Sequence, residues 1–174
     1  LFLMNADGSD QHKLTNDADF DYLPDFSPKG DYVVFQSRKE RPAIAHDIYI
    51  IRSDGTNRTL LTDGKNGYTS PKWSPDGKKI VFEQAIVTKK YYRELSREEM
   101  NQMKNSTEIF VMDKNGKNLK NLTNNNFEDS TPHWSKNGKT IYFMSERDGS
   151  PNIYAINANG TKVRKIADGK IVTN

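Results

Sequence analysis

Three five-residue runs of mostly β-branched or aromatic side chains, Tyr32 to Gln36, Lys79 to Glu83 and Thr140 to Met144, are each followed by a second run of similar character. Those are Ile48 to Arg52, Ile109 to Asp113 and Ile153 to Asn157. Such runs predict short β-strands. Ahead of each first run stands another apolar stretch, ending at Phe26, Trp73 or Trp134, and then a turn: Ser27-Pro28-Lys29-Gly30, Ser74-Pro75-Asp76-Gly77 or Ser135-Lys136-Asn137-Gly138. Proline fixes φ and glycine takes the positive φ that a hairpin needs. The second runs close on Asp54-Gly55, Asn115-Gly116 and Asn159-Gly160, dipeptides favoured in hairpin turns. The stretches beyond, Asn57 to Thr62, Asn118 to Thr123 and Thr161 to Ala167, are more polar and lysine-rich, as expected of edge strands. Each unit therefore reads as four antiparallel strands.

The spacing is constant from copy to copy. Eleven residues separate Pro24 from Phe35, Pro71 from Phe82 and Pro132 from Phe143, and sixteen separate Gly8 from Pro24, Gly55 from Pro71 and Gly116 from Pro132. Only the interval from that phenylalanine to the next strand varies, so every insertion falls at one loop position. Repeats of four short strands predict an all-β fold, a partial β-propeller. Three complete blades are expected, at 20–62, 67–123 with an insertion at 85–108, and 128–167. An outer half blade is expected at 1–15, and the start of a further blade at 168–174. Open blade edges lead to the expectation that the rest of a longer propeller, or a second copy, covers them.

The stretch Pro71-Lys72-Trp73-Ser74-Pro75-Asp76-Gly77-Lys78-Lys79-Ile80-Val81-Phe82, followed by an Ile-Tyr-type strand and a turn of the Asp54-Gly55 kind, resembles the WD40-like repeat of the TolB family. The same repeat is similar to the non-catalytic propellers of prolyl oligopeptidase-type and tricorn peptidases. The resemblance implies a periplasmic or exported scaffold that engages a protein or peptide at its channel face. It also leaves open a gating propeller whose peptidase domain lies elsewhere, or a metal-dependent propeller lyase.

Composition narrows the chemistry. Net charge is +3 from 26 basic and 23 acidic residues of interspersed sign, too balanced to argue for nucleic acid. There is no cysteine, hence no disulfide or thiol chemistry. No apolar run approaches a membrane span, so direct membrane insertion is not expected. No Gly-x-Ser-x-Gly elbow occurs, and His12, His46 and His133 fall at unrelated places in the repeat, so no catalytic residue, metal site or cofactor is assigned. His133, on the innermost strand, is the one histidine a channel metal would use.

With four antiparallel strands per blade, the loops after the second and fourth strands share one face, where binding is expected. Partner-contact candidates on it are Asp19, Asp21, Tyr22, Tyr68, Glu128 and Asp129 from the inter-blade links, and Arg38, Arg41 and Arg147 from the loops after second strands. The carboxylates have two readings: a ring that holds a cation or a basic peptide, or acceptors that tie down local turns. Tyr22 and Tyr68 read as wedged between blades. In the insertion, Ser96-Arg97-Glu98-Glu99 has the form of a capping box and predicts a helix over 97–104. Tyr91, Tyr92, Met100 and Met103 would give it an adaptable contact surface.

Overall fold

Side chains on a strand alternate between its two faces, so a blade flanked by two others needs apolar residues on both. The computed structural model describes residues 1–16, 19–38, 46–64, 67–85 and 107–168. Strands β1 (Phe2–Leu3) and β2 (His12–Lys13) form a two-stranded sheet. Blade one is β3 (Phe20–Phe26), β4 (Tyr32–Arg38), β5 (Asp47–Arg52) and β6 (Thr59–Leu60). Blade two is β7 (Gly67–Trp73), β8 (Lys79–Ala85), β9 (Thr107–Asp113) and β10 (Lys120–Asn121), and blade three is β11 (Asp129–Trp134), β12 (Thr140–Ser145), β13 (Asn152–Asn157) and β14 (Arg164–Asp168). All pairings are antiparallel and join consecutive strands. This is the all-β, partial-propeller architecture that the spacing predicts. The helix expected over 97–104 lies outside the described residues.

Each interface between neighbouring units is one apolar cluster. Val34, Ile48 and Ile50 point forward from blade one and meet Tyr68, Trp73, Ile80 and Phe82 of blade two. Val81, Ile109 and Val111 of blade two meet Ile141, Phe143, Tyr154 and Ile156 of blade three. Leu14, beside the two-stranded sheet, packs on Val33, Phe35 and Ile51. The recurring phenylalanine thus always faces the preceding unit and is fully buried in all three copies. Trp73 is buried between blades and Trp134 partly so, in line with a packing role. Phe26, at the same repeat position, is exposed, because among the described residues no inner strand pair precedes it.

The fourth strands β6, β10 and β14 begin later than the sequence predicts. The cause is backbone shape after the Asp-Gly or Asn-Gly turn: Asn57, Asn118 and Lys162 all take positive φ, 55° to 58°, so ladder pairing resumes only beyond them. Gly116 in one such turn has φ +80°, and a Cβ there would lie 2.8 Å from the backbone oxygen of Leu61 in the blade before. Gly8 has the same conformation in open space. Gly116→Ala is therefore expected to lose more stability than Gly8→Ala, whose loss should be the conformational strain of about 1–2 kcal/mol alone. Urea unfolding of the two variants checks this.

Each innermost strand also carries a bulge just before its proline, at Leu23, Ser70 and Thr131, all with φ near +50°. Non-glycine residues seldom adopt this conformation, and it costs free energy. Two of the bulges are held across the blade boundary. The Ser70 N–H donates to Gln36 Oε1 at 3.2 Å and the Thr131 N–H to Glu83 Oε1 at 2.5 Å. Gln36 and Glu83 occupy the same position on their second strands, so neighbouring blades are linked by a repeated polar bond as well as by apolar packing.

Candidate functional site

Most of the charged residues singled out on the loop face are engaged inside the blades. In blade one the Arg58 guanidinium lies 4.4 Å from the centre of the Tyr49 ring and 5.5 Å from that of Phe35. It donates to Asp19 at 3.2 Å, to Asp21 at 3.5 Å and to Ser37 Oγ at 2.9 Å. Blade three builds the same socket, with every part but the arginine from the same repeat position. Arg147 lies 4.6 Å over Tyr154 and 5.5 Å over Phe143, donates to both Asp129 oxygens at 3.1 and 3.3 Å, and reaches Ser145 Oγ at 2.9 Å. Two chain segments supply the arginine: the stretch before β6 in blade one, the β12–β13 loop in blade three.

Blade two fills the equivalent space with Tyr68, which stands where Asp21 and Asp129 stand. Its ring meets Phe82 edge-on at 5.9 Å, Phe82 stacks on Phe110, and the Tyr68 hydroxyl donates to Asp63 at 2.7 Å. Tyr68 is accordingly wedged between blades. Asp19, Asp21, Asp129 and Arg147 are partners in sockets that close the tops of the blades. Arg58 went unrecognised in the sequence, since nothing local marks an arginine that pairs with carboxylates 37 and 39 positions earlier.

A second recurring arrangement opens the third strand of blades one and two. Asp47 accepts from Thr62 Oγ1 and the Gly64 N–H, and Glu108 accepts from Thr123 Oγ1 and the Asn125 N–H. Burial pushes the Glu108 carboxyl above its usual range, the hydrogen bonds from Thr123 and Asn125 oppose this, and the nearby Asp129 charge adds to it. A raised folded-state pKa means that, from about pH 4.5 upward, the folded protein keeps a proton the unfolded chain releases. The contribution of this group to stability therefore falls as pH rises through its folded pKa, then levels off. Glu108→Gln should flatten that segment of the stability profile, read as unfolding midpoint against pH.

On the loop face of blade one, two aromatic residues remain exposed. Phe20 and Tyr22, on β3, are 43% and 41% exposed. The Arg38 guanidinium lies 5.2 Å from the centre of the Phe20 ring, and Tyr22 meets His46 edge-on at 6.2 Å. Burial and then the Arg38 charge lower the His46 pKa, with Asp47 acting the other way, so the imidazole is neutral at physiological pH. The backbone oxygen of His46 accepts from the Tyr68 N–H at 2.9 Å, tying the cluster to blade two. Tyr22 is thus not wedged, contrary to the expectation above: it stands two residues before its proline where Tyr68 stands three before its own, and one residue reverses the face. Phe20 and His46 were not candidates from sequence.

Glu128 is exposed, and its carboxyl is held above the usual range by partial desolvation, then by Glu146 and Glu83. Among the described residues no group of three or more His, Asp or Glu is placed to hold a metal ion. His133 sits exposed on β11 at the position of Asp25 and Lys72, which form an ion pair at 3.6 Å. Arg41, Tyr91, Tyr92, Met100 and Met103 lie outside the described residues.

Comparison with known proteins agrees with this geometry. Residues 99–173 match the family model of the TolB beta propeller domain, less than half of the chain. TolB from Acinetobacter baumannii superposes with a TM-score of 0.71 at 23% identity, over 94% of this chain and 36% of that one. A putative TolB from Agrobacterium tumefaciens gives 0.73 at 20%, over 94% and 55%. The β-propeller domain of the trilobed protease from Pyrococcus furiosus gives 0.58 at 20%, over 84% and 41%. The chain thus spans between about a third and somewhat over half of these relatives, and at such identities the likeness is one of fold.

Proposed function

We propose that this TolB-like propeller is a recognition scaffold, exported to a bacterial envelope, that binds a protein or peptide segment through the loop face of blade one. The observation that carries the reading is the cluster of Phe20, Tyr22, Arg38 and His46. Two half-exposed aromatic rings and a guanidinium, on β3 and β4, stand together with a neutral imidazole just before β5, on strands locked by the sockets and inter-blade bonds below them. Aromatic and arginine side chains held rigid lose little entropy on docking, and they dominate binding energy at protein interfaces. The carboxylates Asp19 and Asp21 share the Arg58 guanidinium and Asp129 is paired with Arg147, which argues against a channel ring that grips a cation.

The alternative is a gating propeller of a peptidase, favoured by the resemblance to the trilobed protease domain. It would use the same face for peptide passage. The two are separated by what the cluster retains. Photo-crosslinking from Tyr22 in an envelope extract should capture a discrete folded protein if the scaffold reading holds, and mixed peptides if the gating reading holds. Phe20→Ala, with the crosslinker kept at position 22, should abolish the capture in either case. Unchanged capture by that variant would remove the loop face of blade one from consideration.

A further inference from the structure

The tight-turn side of the stack, opposite the variable loops, carries a cleft of about 820 Å³ between blades two and three. The equivalent junction between blades one and two shows what is missing from it. There Tyr32 opens β4, and its ring lies between the Arg52 guanidinium at 5.7 Å and the Lys114 ammonium at 5.9 Å. Counting along the repeat, Lys79 stands at the place of Tyr32, Asp113 at that of Arg52 and Ala158 at that of Lys114. The ring has become a lysine that turns aside to Asp113 at 2.7 Å, and the covering lysine has become an alanine. Trp73, buried in the first junction, has as its counterpart Trp134, which is only partly covered and lines the cleft with Val111.

The first junction therefore supplies a template for the occupant of the second. We propose that this cleft binds a segment of a partner protein that presents an aromatic side chain flanked by carboxylates. The ring takes the place near Trp134 that corresponds to the Tyr32 ring, which packs on the cluster containing Trp73. The carboxylates face the rim, where, with Lys79 held by Asp113, Lys120 and Lys136 still outnumber the single lining acid, Asp76. An aromatic body in a part-apolar slot with charges at its edge is the usual composition of a peptide anchor. This site is separate from the loop-face cluster, and neither depends on the other.

The probe is the peptide acetyl-Glu-Tyr-Glu-amide, titrated while the indole N–H signals of Trp73 and Trp134 are followed by NMR. The expected result is a saturable shift of Trp134 with Trp73 unmoved, at an affinity on the order of 0.1–1 mM. Acetyl-Lys-Tyr-Lys-amide and acetyl-Glu-Ala-Glu-amide should each bind at least about tenfold more weakly. Lys79→Tyr/Ala158→Lys rebuilds the first junction in the second and should fill the cleft, with loss of binding; if that variant does not fold, Lys120→Glu/Lys136→Glu tests the rim instead. No saturable shift overturns the proposal, as does equal affinity for either control peptide or unchanged binding by a folded variant.

Discussion

Phe82→Ala is expected to destabilise the protein by about 3–5 kcal/mol. The ring is fully buried, packs edge-on against Tyr68 and stacks on Phe110, and lies in the cluster that joins blade two to blade one. Its removal takes away the apolar contact and leaves a cavity between two rigid sheets that cannot close over it, because Gln36 and Asp25 bond blade one to the inner strand of blade two on either side. Domains of this size are stable by only about 5–15 kcal/mol, so the variant should lose a large part of the total. Urea unfolding gives the value directly. A loss below about 1 kcal/mol would mean that the blades do not share this interface.

Asp129→Ala should rank second. Its carboxylate is fully buried and accepts from the Arg147 guanidinium at both oxygens and from Asn125 at one, and that guanidinium lies over Tyr154 and Phe143. Truncation leaves a largely buried cation without its counter-charge, which costs about 3–5 kcal/mol. The double variant Asp129→Ala/Arg147→Met should recover much of that, since a buried pair contributes little net stability against an apolar replacement of similar volume. If the single variant were as stable as the parent, the socket would be a surface pairing of no consequence.

The frame of the molecule is legible in the sequence because it depends on intervals. Pro71 to Phe82 and its two copies fix the inner hairpin, and the Asp54-Gly55 kind of turn fixes the outer one. What could not be read was which polar residues close each blade. The socket over Phe35 is filled by Arg58, that over Phe143 by Arg147 and that over Phe82 by Tyr68, three solutions delivered from three chain positions. Only the spatial result repeats, so no spacing reveals it. Tyr22 is the instructive opposite case. Its position relative to Pro24, set beside that of Tyr68 relative to Pro71, already implies opposite faces, and the parity of the strand carries that information without coordinates. Phe20 shares the parity of Tyr22 and stands on the same side.

The variable-loop face and the tight-turn face thus have different characters. On the first, Asp19, Asp21, Asp129 and Arg147 are consumed internally, while Phe20 and Tyr22 are left half-exposed. On the second, one junction is filled by the chain's own Tyr32 and the next is open. Recognition through the loop face is the claim on which the functional reading rests, and a photo-crosslinker placed in turn at Tyr22 and at Lys29, on the opposite face and outside the cleft, tests it most directly. Tyr22 should give a single protein adduct that disappears with Phe20→Ala, while Lys29 does not give that adduct. The same adduct from both positions, or one from Tyr22 that survives Phe20→Ala, would contradict it.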